Sequence, residues 1–145
     1  MKELVRLWLD DLRDPETNAP FYEGKTVWVK SVPQFSAWIN ENGLPDFISF
    51  DYHLGKDLDF FEDGIGALKS VIRYCIAKAP QLNQPDGKLP FPKFAVHSTF
   101  EKAYILNEYI IRNIRMYGLG EIRQEGTIHK KPIVTEKIGF NKRLF

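Results

Sequence analysis

The sequence predicts a single α/β domain spanning residues 1–145, a three-layer sandwich around a mostly parallel central sheet. Short apolar runs typical of buried strands alternate with longer amphipathic segments typical of helices. The chain is 43% hydrophobic and rich in aromatic residues, so it can bury a substantial core. Acidic residues or histidine follow three of the apolar runs, which indicates that polar groups collect at one edge of the sheet.

The first half of the chain has an irregular beginning. Residues 4–9 and 26–29 are the first two predicted strands, and the 16 residues between them show no helical period. We therefore expect the first helix of the fold to be reduced, with residues 14–24 forming a loop. Ser31 is expected to cap the next helix, which Asn42 and Gly43 end.

The second half follows the regular pattern as far as residue 117. Residues 47–50 and 94–96 are predicted strands, and the amphipathic segments 64–79 and 101–117 are predicted helices. Residues 127–129 and 132–135 are candidates for a further strand.

Charge and cysteine content exclude several classes of protein. The net charge is +1 and the pI about 7.8, so bulk charge gives no signal for nucleic-acid binding. Cys75 is the single cysteine, which rules out an internal disulfide, and its place within a helix favours a structural thiol. There is no signal-peptide pattern and no apolar stretch near ~18 residues, so we expect a soluble cytoplasmic protein without a membrane partner.

Polar residues at the predicted strand ends carry the chemistry of this chain. The first strand is followed by Asp10 and Asp11, the third by Asp51 and His53, and the fourth by His97 and Ser98. Ligands of open parallel sheets bind at the carboxyl ends of the strands, so these six side chains are expected to converge.

Three carboxylates at this edge predict a metal site. Asp10, Asp11 and Asp51 would form an oxygen-rich pocket suited to Mg²⁺, with Mn²⁺ as the alternative. The simpler interpretation is that Asp10 and Asp11 only begin a polar turn. The recurrence of an aspartate after the third strand favours the metal site.

The histidines predict acid–base chemistry at the same place. Imidazole titrates near neutrality, so His53 and His97 can accept or deliver a proton, or complete a metal sphere. Ser98 is expected to donate a hydrogen bond to a phosphoryl oxygen. Arg13 either clamps phosphate as a planar fork or pairs with the neighbouring Asp14 or Glu16.

The remaining signals are weaker. Residues 64–66 (GIG) precede a helix and could direct backbone N–H groups to an anion, although a simple helix start is the better interpretation. Lys131, in the segment HKKP, lies either near the same sheet edge or in a basic surface tail.

These residues resemble the response-regulator receiver fold. In that family an acidic pair ends the first strand, a phosphoacceptor aspartate ends the third, Ser or Thr ends the fourth and Lys-Pro ends the fifth. The corresponding positions here are Asp10 with Asp11, Asp51, Ser98 and Lys131.

The sequence is more closely similar to a receiver-derived group proposed to process cyclic phosphates. That group carries L-D-D-x-R-x-P, a D-H-D-L-G-like segment and a His-Ser pair, which match residues 9–15 (LDDLRDP), 51–55 (DYHLG) and 97–98 (HS). Tyr52 and His53 stand where the group carries His and Asp, and Phe100 where it carries Asn.

The resemblance and the residues together give three hypotheses. The first is a metal-dependent phosphoesterase acting on a cyclic nucleotide or a 2′,3′-cyclic RNA end. In it His53, His97 and Asp51 are catalytic, and Arg13, Ser98 and Lys131 bind the substrate. The second is a non-enzymatic receiver in which Asp51 accepts a phosphoryl group. The third is a protein-binding domain with a vestigial pocket. Histidines at two strand ends favour the first, because a phosphorylation switch does not need them.

Overall fold

The central sheet is parallel and has the predicted strands. The computed structural model describes residues 2–52, 64–78, 88–98 and 100–126. Within these ranges four strands, β1 to β4, pair in the order β2-β1-β3-β4, and every pairing is parallel. The strands are Val5–Leu9, Lys25–Val29, Phe47–Phe50 and Lys93–Val96. Because β2 lies on one side of β1 and β3 on the other, the strand order reverses between β1 and β3, and their carboxyl ends flank a crevice of the kind that binds ligands.

Four helices connect the strands in the described residues. They are α1 (Pro15–Asn18), α2 (Val32–Asn42), α3 (Gly64–Ala77) and α4 (Phe100–Tyr117). The Ser31 side chain caps α2 as predicted by accepting a hydrogen bond from the backbone N–H of Gln34, and Gly43 ends that helix at a φ of 89°. None of these helices is both long and apolar enough to cross a membrane.

The first helix is reduced to a single turn rather than missing. The prediction of a continuous loop over residues 14–24 was therefore wrong for α1, which has four residues. The Asp14 carboxylate accepts the Thr17 N–H, and Pro15 occupies the first turn, where its missing N–H costs nothing. A turn this short has no hydrophobic period to read, and its cap signals resemble those of a loop.

The hydrophobic core lies on one face of the sheet, between the strands and helices α2 to α4. Strand residues at alternate positions are fully buried there against helix residues. The Cys75 thiol is buried in α3, and burial raises its pKa to about 12, which agrees with a structural thiol. The main contributors are Leu7, Leu9, Ile48, Phe50 and Phe94 from the strands, and Phe35, Ile39, Leu68, Val71, Leu106 and Ile110 from the helices.

The opposite face of the sheet is packed by the connection between β1 and β2. The Trp8 indole N–H donates to the Arg13 carbonyl at 2.8 Å, and the Arg6 guanidinium donates to the Pro20 carbonyl at 3.0 Å. Arg6 and Trp8 are 5% and 2% exposed, so this connection encloses the side chains of the strand beneath it. The reduced first helix thus belongs to a layer made mostly of irregular chain.

A further parallel pairing follows α4. The Phe94 N–H donates to the Arg123 carbonyl at 2.9 Å, and the Glu125 N–H donates to the Phe94 carbonyl at 2.7 Å. Lys93 and Glu125 form an ion pair alongside at 2.7 Å. The polar residues at 123–125 gave no strand signal in the sequence. The strand candidates at 127–129 and 132–135 lie outside the described residues.

Gly64, the first residue of α3, packs against the backbone that carries the strand-end chemistry. Its N–H donates to the Tyr52 carbonyl at 2.8 Å. A Cβ built there would collide with the Asp51 carbonyl oxygen and lie 2.8 Å from a Leu106 methyl carbon. The close approach accounts for this glycine without an anion site.

We expect Gly64→Ala to destabilise the protein by about 2 kcal/mol or more, because the colliding atom is backbone and cannot move aside cheaply. Alanine usually stabilises a helix by up to ~1 kcal/mol relative to glycine, so the sign of the change is diagnostic. Urea unfolding measures it. The exposed Lys69→Ala in the same helix is the control and should change stability by less than about 0.5 kcal/mol. A stabilised Gly64→Ala variant would contradict the close packing.

Candidate functional site

Three side chains from three neighbouring strands meet at the carboxyl edge of the sheet. Asp10 follows β1, Asp51 follows β3 and His97 follows β4, and one ligand atom from each lies within 4.8 Å of the others. We call Asp10, Asp51 and His97 the strand-end cluster. Asp10 and Asp51 are buried at 1% and 5% exposure, so their carboxylates need partners.

Asp10 uses its two carboxylate oxygens differently. Its Oδ1 accepts the backbone N–H groups of Leu12 and Arg13 at 2.9 and 2.8 Å, which turns the chain sharply at the end of β1. Its Oδ2 contacts the Nε of Arg13 at 3.0 Å and the Nε2 of His97 at 3.1 Å. One oxygen therefore shapes the loop and the other faces the cluster.

The two carboxylate oxygens of Asp51 also have different partners. Its Oδ1 accepts the Ser98 hydroxyl at 2.7 Å and the Tyr52 N–H at 2.8 Å. Its Oδ2 lies 3.5 Å from an Nη2 nitrogen of Arg13. Ser98 thus joins the end of β4 to the end of β3, as the sequence prediction of convergence requires.

Arg13 bridges the two carboxylates. It contacts Asp10 through Nε and Asp51 through Nη2, while its side chain remains 47% exposed. Of the two interpretations drawn from the sequence, local pairing with Asp14 or Glu16 is not what the structure has. The Asp14 carboxylate instead accepts hydrogen bonds within α1.

The His97 ring is fixed on one face and at both nitrogens. It stacks on the Trp8 indole with ring centroids 3.8 Å apart and planes inclined by 4°. Its Nδ1 lies 2.7 Å from the Ser49 hydroxyl, while its Nε2 faces Asp10. Sequence reasoning missed Trp8 and Ser49, although each stands two residues before a cluster aspartate and so on the same face of its strand.

The three groups of the cluster have different pKa shifts. Burial opposes ionisation of Asp10, but backbone hydrogen bonds and the neighbouring Arg13 and His97 outweigh it, so the pKa of Asp10 is lowered. Burial raises the pKa of Asp51 despite the Ser98 hydrogen bond. Burial also lowers the pKa of His97 to about 4, against the attraction of Asp10. At neutral pH His97 is therefore a neutral imidazole beside an ionised Asp10.

These charges fix the hydrogen-bond directions around His97. An ionised carboxylate only accepts hydrogen bonds. The proton of the neutral imidazole is therefore on Nε2, and the Nε2–H group of His97 donates a hydrogen bond to Asp10. Its Nδ1 then accepts from Ser49. Because a hydroxyl can also accept, Ser49 can support the other tautomer, in which Nδ1–H donates, but the Nε2 lone pair must then be separated from the ionised Asp10 by a cation or a proton donor.

The metal-free protein is expected to lose stability as the pH falls from 7.5 to 5. An unfolded histidine takes up a proton near pH 6.5, whereas folded His97 does so only near pH 4, so protons favour the unfolded state between those values. The difference at pH 5 is roughly 2 kcal/mol. Urea unfolding in EDTA measures it, with His97→Gln as the reference that lacks this group. An equal loss in both proteins would contradict the burial of a neutral His97.

Other residues stand around the cluster. Asp11 is half-buried beyond β1 and is not one of the three residues of the cluster. The Trp28 indole N–H donates to the Asp10 carbonyl at 2.7 Å. Lys102, in the first turn of α4, places its ammonium 5.1 Å from the Tyr52 ring centre, a contact that the sequence did not suggest. His53 and Lys131, both predicted site residues, lie outside the described residues.

The donor set of the cluster fits a divalent cation. Two carboxylates suit Mg²⁺ or Mn²⁺, whereas an additional imidazole ligand is more typical of Mn²⁺ and other transition metals. Within the described part of the chain, the carboxylate oxygens facing the cluster contact Arg13 and His97, and Arg13 is half-exposed. The strand-end cluster can therefore hold a metal ion if the Arg13 side chain moves away from the two carboxylates.

One family of known proteins matches most of the chain. Residues 5–104 match the sequence profile of a family described as the cyclic-phosphate processing receiver domain. A solved structure described as a yeast Spc42 trimeric coiled coil, amino acids 181–211, fused to another structure is similar at 15% identity and a TM-score of 0.45. The alignment covers 99% of this chain and 80% of that one. No curated protein matches the chain.

Proposed function

The chain belongs to the cyclic-phosphate processing receiver domains, and we propose that it is a metal-dependent phosphoesterase that opens a cyclic phosphate. The substrate class is a cyclic nucleotide or an RNA end carrying a 2′,3′-cyclic phosphate. The observation that carries the proposal is the strand-end cluster, in which two carboxylates and an imidazole lie within 4.8 Å of one another. A hydrolase needs charge stabilisation and proton transfer at one point, and this cluster supplies groups for both.

Asp10 and Asp51 are the proposed metal ligands, and Asp11 keeps its sequence-based assignment as a third carboxylate. A cation would bind their Oδ2 oxygens, which contact side chains at the cluster, since the other oxygen of each is held by backbone or hydroxyl donors. A divalent ion bound there would neutralise charge on the phosphate and lower the pKa of a water molecule.

His97 is the proposed proton carrier. Its neutral state at pH 7 allows it to accept a proton from the attacking water through Nε2 when Nδ1–H donates to Ser49. Water adds to phosphorus, the bond from phosphorus to one ring oxygen breaks, and that oxygen takes up the proton. The product is a phosphomonoester. His53 is the second candidate for proton transfer on sequence grounds.

The substrate phosphate is bound by donors at the rim of the cluster. Arg13 offers a planar fork that matches two phosphoryl oxygens, and the Ser98 hydroxyl would donate to a third by turning its proton away from Asp51. Lys131 keeps its sequence-based assignment as a further phosphate contact.

The test is a screen for ring opening. The protein is incubated with Mg²⁺, Mn²⁺ or EDTA and with 3′,5′- and 2′,3′-cyclic mononucleotides, cyclic dinucleotides and RNA with 2′,3′-cyclic ends. We expect one class to be opened only with metal, and Asp51→Asn to abolish the reaction. Asp46→Asn, at the opposite end of β3, is the matched control and should retain activity. Failure to open any of these substrates would contradict the proposal.

A second candidate function is phosphoacceptance by Asp51. The Ser98 hydroxyl bound to the Asp51 carboxylate favours it, because receivers place a hydroxyl residue at that strand end. Incubation with acetyl phosphate and Mg²⁺, followed by intact-protein mass spectrometry, distinguishes the two. A phosphoryl group added to the wild type but not to Asp51→Asn, without ring opening of any cyclic substrate, would make the protein a receiver module.

A further inference from the structure

Arg13 holds the oxygens that a metal ion would need. Asp10 and Asp51 each direct one oxygen, Oδ2, away from the backbone donors, and Arg13 contacts both at 3.0 and 3.5 Å. The guanidinium therefore already offsets part of the negative charge of the two carboxylates. A divalent cation shared by the same two oxygens must take the place of these contacts.

We propose that Arg13 is the resident counter-ion of Asp10 and Asp51, that a divalent cation displaces its guanidinium, and that the released guanidinium then binds the phosphate. This exchange rests on the proposed function. It makes Arg13 both a competitor of the metal ion and a partner of the substrate.

The local structure allows this movement without unfolding the loop. The Arg13 backbone is fixed independently of its side chain, because its N–H donates to Asp10 and its carbonyl accepts the Trp8 indole N–H. The side chain is 47% exposed and so can turn towards solvent. The two carboxylates are buried and need a counter-ion, so the guanidinium can leave only as the cation replaces its charge.

The charges favour the exchange when phosphate is present. With Arg13 in place, two carboxylates face one positive charge, and a divalent cation balances both. The displaced guanidinium then lies at the mouth of the site, where a phosphodiester anion gives it a new bidentate partner. Metal and phosphate binding are therefore expected to strengthen each other through Arg13, and by the same factor in each direction.

Arg13→Gln separates the two roles. Isothermal titration with Mn²⁺ is expected to show about tenfold tighter binding to Arg13→Gln than to the wild type, a ratio of about 1.4 kcal/mol. Dimethyl phosphate, a simple phosphodiester anion, is expected to tighten Mn²⁺ binding to the wild type several-fold more than to Arg13→Gln, in which the metal ion must bind it without the guanidinium. The exposed Arg112→Gln in α4 makes the same charge change elsewhere and should behave as the wild type.

Each outcome of the titration decides the matter. Equal or weaker Mn²⁺ binding by Arg13→Gln, with wild-type binding intact, would overturn the exchange and leave the proposed metal site standing. If dimethyl phosphate tightened Mn²⁺ binding equally in both proteins, the proposal that the released guanidinium binds phosphate would be overturned. No Mn²⁺ binding by either protein would overturn the metal-dependent function as well. Arg13→Lys is the second variant if Arg13→Gln does not fold, with an Mn²⁺ affinity expected above that of the wild type because lysine lacks the bridging fork.

Discussion

Replacing Asp10 with asparagine is expected to weaken Mn²⁺ binding by about 100-fold or more while leaving the fold intact. The substitution removes a negatively charged metal ligand. The loss of metal affinity should therefore exceed the 10–100-fold loss that is typical of residues that only orient ligands. The amide oxygen of asparagine can still accept the N–H groups of Leu12 and Arg13. Isothermal titration gives the affinity, and urea unfolding gives the stability.

Two further variants separate the effect of the lost charge of Asp10 from effects on the structure of the protein. Asp10→Ala also loses the turn that follows β1, so it should destabilise the protein by about 1–2 kcal/mol more than Asp10→Asn. Asp46→Asn makes the same charge change where the carboxylate accepts the Val5 N–H at 2.8 Å, before β3 rather than after it. Unchanged Mn²⁺ affinity in Asp10→Asn would remove Asp10 from the metal site.

Replacing His97 with glutamine is expected to reduce kcat by about 10²–10⁴-fold with little change in KM, because general acid–base catalysis acts on the transition state. Glutamine keeps a polar group near Asp10 but cannot exchange a proton at neutral pH. Steady-state kinetics on the substrate identified by the screen measure the two constants. Equal loss of turnover and substrate binding would make His97 a binding residue instead.

Ser49→Ala is the matched test of how the imidazole is held. The variant leaves His97 in place but removes the hydroxyl at 2.7 Å from Nδ1. We expect a roughly tenfold to 100-fold loss of kcat, smaller than that of His97→Gln, together with a change in the pH dependence of kcat. A purely structural serine would lower stability without moving the pH profile.

Most strand and helix positions followed from local signals in the sequence. Ser31 and Gly43 mark the start and end of α2 because capping chemistry depends on residue type alone. Residues 47–50 (FISF), apolar except for Ser49, form a strand buried on both faces, which the shortness of the run and the turn residues before it identify. The single turn α1 and the pairing at residue 124 escaped prediction, because one is too short for a period and the other is polar.

The strand-end cluster was predictable because topology alone brings the ends of parallel strands together. Asp10, Asp51 and His97 needed only the order of the strands to be placed at one edge. The contacts of Arg13 were not predictable, since a long side chain chooses among acidic neighbours according to three-dimensional proximity. Asp11 shows the same limit, because adjacency to Asp10 in sequence does not decide which way its side chain turns.

Paramagnetic broadening by Mn²⁺ tests most directly the claim that this cluster is the metal centre. In ¹⁵N-labelled protein at substoichiometric Mn²⁺, the amide signals of residues 10–13, 51–52 and 97–98 are predicted to broaden first, and those of residues 43, 44 and 46, before β3, are predicted to broaden last. The same titration of Asp10→Asn should show no such order. Broadening centred on the residues before β3, or an unchanged pattern in Asp10→Asn, would show that the metal ion does not bind at the strand-end cluster.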